Sequence, residues 1–282
     1  MINEIKRCGF VSIFGAPNAG KSTLLNNILN DKLSIISPKA QTTRVAIKGI
    51  LNDKNIQIVF VDTPGILKPK TFLDKNMMRS ILHNKDTADI NIIICDVRGH
   101  HRFINNKSIQ KLMLNMSKKF LVINKIDLLE RSKLLVVSEE LNRAFQFDQT
   151  FMISAKRKKG IDKLVSTIKK NIPIRKWVYK DSENTDQKID FILSEITREK
   201  LFQLLNKELP YNTKLKTKIV DKNSFFKVYQ SIIINKNSQK PIIIGKNGEK
   251  IKEIGIRARK DMEVRLKKKV YLDILVSIEK KN

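Results

Sequence analysis

The segment GAPNAGKS, Gly15 to Ser22, constrains this chain more than any other feature of the sequence. It matches G-x-x-x-x-G-K-[ST] and lies between an apolar, β-branched run, CGFVSIFG, and a stretch, Lys21–Leu29, whose apolar residues recur at helical spacing. A strand, a glycine turn and a helix in that order make a loop whose N–H groups point inward at anionic oxygens, with the positive end of the helix behind them. Gly15 and Gly20 allow the tight turn, and Asn18, Ala19 and Thr23 complete the candidate phosphate cradle. Lys21 would reach the β- and γ-phosphates of a nucleotide, and the Ser22 hydroxyl would hold Mg²⁺.

The surrounding pattern supplies the sheet such a loop needs. IQIVFVDTP, INIIICDV, KFLVINK and FMISA read as short buried strands. Between and after them, helical spacing covers about 73–83, 108–116, 133–144 and 161–171. Alternating strands and helices predict an α/β P-loop domain over 1–172, with a mostly parallel sheet and helices on both faces. Pro173 stops the pattern, and a polar, charged stretch at 173–188 reads as a linker. Residues 189–282 read as α+β. A helix from about Asp190 to Glu208 is followed by the strands KLKTKIV and FFKVYQSIIIN. QKPIII then reads as a strand, followed by a glycine turn, a long basic helix and a closing strand, VYLDILVSI.

Further short motifs fall at the predicted strand ends. Asp62-Thr63-Pro64-Gly65 places a carboxylate on the Mg²⁺ side of the phosphates, and the Gly65 N–H can sense the γ-phosphate. In Asn124-Lys125-Ile126-Asp127 the Asp127 carboxylate can accept from guanine N1–H and its exocyclic amine, an edge that adenine lacks. Asn124 would brace the loops, and the Lys125 stem would lie over the base. Ser154-Ala155-Lys156 adds the Ala155 N–H for guanine O6. AQTTR, Ala40–Arg44, reads as a switch in which Thr43, preferred to Thr42, closes over Mg²⁺. Lys21, Thr43 and Gly65 are the residues expected to act on the reacting phosphate.

A length of 282 residues suffices for two domains with their own cores. Cys8 and Cys95 are too few for a secreted disulfide framework, so a reducing cytoplasm is expected. No apolar run reaches the roughly 18 residues of a membrane span, which leaves only peripheral contact with the inner face of a membrane open. Lys and Arg outnumber Asp and Glu by 56 to 28, a balance that draws polyanions but is spread over both halves; biased codon usage is an equal source of the lysine. His83, His100 and His101 have no metal-like spacing partners and read as surface or packing residues.

GAPNAGKS, KAQTTR, DTPG, NKID and SAK, followed by REKLFQLLNKELP and IIIGKNGEKIKEIGIRARKDME, resemble the bacterial Era GTPase family along essentially the whole chain. The resemblance implies a GTPase joined to a KH domain of the second topological type, using GTP, GDP and Mg²⁺. It also implies a protein that binds small-subunit ribosomal RNA near its 3′ end and acts in assembly of the small ribosomal subunit; a monomer is expected. On the residues themselves, Gly245-Lys246-Asn247-Gly248 supplies a GXXG loop that lets main chain approach a single-stranded backbone closely. Ile244, Lys250 and Lys252 join it as candidate RNA contacts, and Ile242–Ile244 and Ile251 as apolar surfaces for bases.

Two departures qualify the expectation. The residue after DTPG is Ile66, where Ras-like switches carry a water-positioning Gln, so intrinsic hydrolysis should be slow. Some related GTPases with a hydrophobic residue there use K⁺ held with help from a P-loop Asn, and Asn18 stands at that position as a candidate for the role. The chain also stops soon after Tyr271, shorter than familiar Era chains, so RNA response is expected to differ. An RNA-binding scaffold with a structural GTP is the alternative reading; a GTPase of tRNA modification is disfavoured by IIIGKNGEKIKEIG.

Overall fold

The computed structural model describes residues 5–36, 46–65, 81–114, 116–205 and 209–279. The chain divides into two compact units; residues 35 and 36 group with the second, which otherwise begins after Asp186. In the first, β1 (Arg7–Gly15) runs into α1 (Lys21–Leu29), followed by β2 (Ile47–Asp53), β3 (Ile56–Asp62), β4 (Ile90–Asp96), α2 (His100–Ile104), α3 (Lys107–Met113), β5 (Lys119–Asn124), α4 (Arg131–Phe145), β6 (Gln149–Ile153) and α5 (Ile161–Asn171). The sheet order is β2-β3-β1-β4-β5-β6, with β2 antiparallel to β3 and the other pairs parallel.

Both faces of this sheet are covered, as parallel strands require. On one face Ile13, Phe60, Ile92 and Val122 pack with Leu24 and Leu25 of α1 and Leu164 and Ile168 of α5. On the other, Phe14, Ile93, Cys95 and Leu121 pack with Phe103, Leu112, Val137 and Leu141 of α2, α3 and α4. Leu24 and Leu25 are fully buried, each contributing about 2 kcal/mol to fixing α1, and hence the glycine loop ahead of it, against the strands. Both cysteines are buried and free.

Two features differ from the reading of the sequence. Strand β2 was not anticipated: Gly49 interrupts its pattern, since a Cβ there would crowd Leu29 and lie 3.2 Å from Leu25 Cδ1 under α1. The stretch read as a linker is held to the first unit as far as Thr185. Ile174 bridges Arg7, Ile50 N–H donates to Asn184 O (2.9 Å), the Thr185 hydroxyl donates to Lys48 O (2.7 Å), and Gln57 Oε1 accepts from Val178 and Tyr179 N–H (2.9 Å each). It forms a strap beside β2. The helix expected over 73–83 falls mostly outside the described residues, though 81–87 is helical.

In the second unit, α6 (Ile189–Leu204), β7 (Lys214–Asp221), β8 (Phe225–Ile234), α7 (Lys240–Ile244), α8 (Glu249–Leu266) and β9 (Lys269–Ile278) build a three-stranded sheet in the order β7-β8-β9, antiparallel then parallel. QKPIII, expected as a strand, forms α7 instead. Pro241 in its first turn is pre-set for a helix; of the three isoleucines Ile243 alone is fully buried, Ile244 packs partly buried against the core and Ile242 is half exposed (52%), so the run is not buried on two faces as a strand would be. Leu201, Ile232, Ile243, Ile254 and Val276 form this core. Gln230, buried within it, accepts from the Thr197 hydroxyl and donates to Leu193 O and Thr217 Oγ1 (3.0 Å each), fixing α6 against β7 and β8. Among the described residues no helix is long and apolar enough to cross a membrane.

Candidate functional site

Parallel pairing brings the motif residues to one edge of the first sheet. Ile13 stands opposite Asp62, Gly15 opposite Ile94, Asp96 opposite Asn124, and Asn124 opposite Ile153, so the DTPG, NKID and SAK turns leave their strands beside the glycine loop. Gly20, at the N-terminus of α1, has a φ of 104°, and a Cβ there would collide with the Asn124 amide. Only glycine satisfies both conditions.

Lys21 is buried and donates to the carbonyls of Gly15 (3.2 Å) and Ala16 (3.1 Å). Burial lowers its ammonium to about 8, opposed by the nearby Asp62 carboxylate. The Ser22 hydroxyl donates to Asp62 Oδ2 at 2.7 Å, pairing two hard oxygen donors suited to Mg²⁺. Thr63 donates to Ile13 O (2.7 Å), which anchors the DTPG turn to β1. At Gly65 a Cβ would sit 3.0 Å from Pro17 Cγ and 3.1 Å from Pro17 N, so this turn lies directly against the glycine loop. Pro64 is buried and Thr23 half buried. Thr42, Thr43 and Ile66 lie outside the described residues.

The base-reading loops are locked by Asn124. Its Nδ2 donates to Ala19 O (2.8 Å) and its Oδ1 accepts from Ala155 N–H (2.9 Å), which joins NKID, SAK and the glycine loop. The N–H expected to meet guanine O6 is therefore already engaged, and a base oxygen would have to share it. The Lys125 ammonium bridges Asn18 O and Asp96 Oδ2, both at 2.7 Å, which draws the lysine across the gap from β4 to the glycine loop. Burial would raise the Asp96 carboxyl, but hydrogen bonds from Lys125 and Arg98 outweigh it and hold the group below the usual range. Sequence spacing gave no sign of this role for Asp96.

A hydrogen bond with Ser154 lowers the Asp127 carboxyl, against the opposing effect of burial, with Arg157 adding to the lowering from 3.7 Å. Asp127 Oδ1 is buried and has no hydrogen-bond partner among the described residues. An ionised carboxylate with one uncommitted oxygen fits the paired N–H donors of a guanine edge. Ser154 is buried and Lys156 exposed, with the SAK turn closed by reciprocal bonds between Ser154 and Lys159 (3.0 and 3.1 Å).

In the second unit the GXXG loop joins α7 to α8. Gly245 and Gly248 have φ of 76° and 78°, and Asn247 between them has 50°. A Cβ on Gly245 would lie 2.7 Å from Lys250 Cβ, whereas one on Gly248 would meet nothing within 4 Å. Lys246, Asn247 and Lys252 are exposed, Ile244 and Lys250 half buried. Ile243 is fully buried, so it belongs to the core and not to a base-contacting surface.

Fold and site together define a P-loop guanine-nucleotide-binding protein carrying a KH domain. The family model of a 50S ribosome-binding GTPase matches residues 10–125, and that of a KH domain matches residues 200–282. GTPase Era of Afipia carboxidovorans is 38% identical over 238 residues, 84% of this chain and 77% of that protein. GTPase Era of Brucella melitensis is 38% identical over 242 residues, 84% and 76% respectively. The chain belongs to the Era GTPase family. Among solved structures, Era in complex with MgGDPNP and nucleotides 1506–1542 of 16S ribosomal RNA matches with a TM-score of 0.89 at 34% identity, covering 97% of this chain and 94% of that one. An Aquifex aeolicus Era variant bound to GDP·AlF4⁻ matches with a TM-score of 0.88 at 35% identity, with the same coverage.

Proposed function

We propose that this protein hydrolyses GTP as a switch that governs binding of small-subunit ribosomal RNA, near its 3′ end, during assembly of the small ribosomal subunit. The observation that carries the reading is the likeness, over 97% of the chain, to an Era bound both to a GTP analogue with Mg and to a 16S ribosomal RNA segment. Lys21 and the loop N–H groups would hold the phosphates, Asp127 the base, and Ser22, Asp62 and Thr43 the Mg²⁺, which neutralises charge on the β- and γ-phosphates. Gly65 would report the γ-phosphate through its N–H. Gly245 and Gly248 would let the RNA backbone approach the main chain, with Lys246, Lys250 and Lys252 supplying charge and Ile244 an apolar edge for a base. The protein acts in the cytoplasm as a monomer, with the inner face of the cell membrane as a second, peripheral address.

With Ile66 in place of a water-positioning Gln, Asn18 is proposed to help hold K⁺ beside the phosphates. Equal hydrolysis rates in K⁺ and Na⁺ would remove that role. The decisive experiment measures GTP hydrolysis in K⁺ with and without a short RNA matching the 3′ end of small-subunit ribosomal RNA. Stimulation that disappears in Gly245→Asp and Gly248→Asp variants is expected. RNA binding without turnover or nucleotide dependence would instead leave an assembly scaffold with a structural GTP.

A further inference from the structure

Beyond Asp96, where β4 ends and Lys125 is held, the chain turns through Val97 and opens α2 with two histidines. Their side chains, read in sequence as having no partners, converge on Glu140 of α4. His100 is mostly buried, 15% exposed, and its Nδ1 lies 3.0 Å from Val97 O. A carbonyl oxygen only accepts, so Nδ1 carries a proton. The other ring nitrogen, Nε2, lies 3.1 Å from Glu140 Oε2, and Nδ1 of His101 lies 3.8 Å from the same oxygen.

A neutral His100 with its proton on Nδ1 would turn the Nε2 lone pair toward a carboxylate, which is repulsive. A positive charge must lie between them, either a second proton on the ring or a metal cation. An Nε2–H aimed at Glu140 would be a hydrogen bond at this distance, yet the buried Oε2 accepts none among the described residues. A metal resolves this geometry, because in a tetrahedral shell each ligand points at the ion and not at its neighbour. With bonds of about 2.0–2.2 Å, ligand atoms in such a shell stand roughly 3.3–3.6 Å apart. The observed 3.1 and 3.8 Å bracket that spacing, and all the candidate ligand atoms lie within 4.8 Å of one another.

We propose that His100, His101 and Glu140 bind a borderline transition-metal dication, of which Zn²⁺ is the representative, with water in the fourth position. Two imidazoles and one carboxylate suit such an ion better than Mg²⁺ or Ca²⁺, which take oxygen ligands. The Nδ1–H to Val97 O bond is the outer brace that ligating histidines make, fixing tautomer and ring plane. The ion would tie α2 to α4 and stiffen the turn that follows Asp96, the partner of Lys125 in the base-reading loop.

The test titrates metal-free full-length protein, with its nucleotide site filled by Mg–GDP, against Zn²⁺ in competition with a chromophoric chelator, and against Co²⁺ followed by its visible d–d bands. One saturable equivalent, tetrahedral-intensity Co²⁺ bands and a rise in melting temperature are expected. His100→Gln and Glu140→Gln should each weaken Zn²⁺ at least tenfold while GDP affinity is retained. His101→Gln, at a residue with its side chain 73% exposed, should abolish the Co²⁺ bands without disturbing the fold. Absence of a saturable equivalent, or binding undiminished in all three variants, would overturn the site; a wild-type melting temperature indifferent to Zn²⁺ would point to an imidazolium–carboxylate pair only.

Discussion

The nucleotide loops and the GXXG loop are both candidate phosphate sites, but they are built in opposite ways. In the first unit Lys21, Ser22, Thr63, Asn124 and Lys125 each hydrogen-bond to main chain or to another motif residue, so the cradle is braced before any ligand arrives. In the second, Lys246 and Asn247 stand in water and the shape is carried by two glycines at φ 76° and 78°. A small ligand of fixed shape rewards interlocked side chains; a polymer backbone of variable sequence rewards main chain that can come close, with mobile charge around it.

That contrast can be broken most severely at the base. Asp127→Asn replaces an acceptor-only group by one that also donates, so guanine affinity should fall by about 100-fold or more while xanthine nucleotide gains, as measured by fluorescent-nucleotide titration. Asn124→Ala should cost about 2–3 kcal/mol by leaving Ala19 O and Ala155 N–H without their partner, visible both as a lower melting temperature and as a nucleotide Kd raised at least tenfold. Unchanged nucleotide affinity in that variant would mean that the bracing is incidental.

On the RNA side the glycines should differ. Gly245, at φ 76° and ψ 176°, occupies a region essentially reserved for glycine, so Gly245→Ala costs about 1–3 kcal/mol in the backbone and also adds a Cβ 2.7 Å from Lys250, whereas Gly248, at φ 78° and ψ 5°, is left-handed and Gly248→Ala has open space and incurs only the roughly 1–2 kcal/mol left-handed penalty. RNA affinity should therefore fall about tenfold or more in the first variant and several-fold less in the second, by filter binding; equal losses would show that neither the Lys250 contact nor the difference in backbone region matters to RNA.

Lys21 sharpens the comparison through pH. Its ammonium is lowered from 10.5 to about 8, so between those values the unfolded chain binds the extra proton and this group's contribution to unliganded stability rises with pH. Phosphates demand the charged form, so nucleotide affinity should move the other way, dropping about tenfold per pH unit above 8 with proton uptake detectable by calorimetry in buffers of different ionisation enthalpy. The smallest change is Lys246→Ala, which should weaken RNA a few-fold and reduce its salt slope by about one.

The nucleotide side was legible because its chemistry depends on residue identity at fixed spacing after strands whose β-branched runs are unambiguous. Lys21–Leu29 and Ile161–Asn171 were readable to the residue. What escaped depends on contacts between distant segments. Gly49 hides β2 because the missing side chain is explained only by α1 above it. PIII resembles a strand until Ile243 is seen to be the one isoleucine of the three that is fully buried. Asp96 acts through Lys125, and Glu140 meets His100 only once α4 packs beside α2, so no local spacing announces either pair.

The strap over 173–185 has a consequence for how the GTPase unit survives by itself. Strand β2 is the rim of its sheet, and a bare rim offers unpaired N–H and C=O groups to any other chain in extended form. Asn184 and Thr185 occupy that position on Ile50 and Lys48, so the protein carries its own protection against edge-to-edge aggregation in a stretch whose composition suggests a mere connector. Severing the chain after Ile172 would strip this guard from the sheet, whereas severing it after Asp186 would leave it in place.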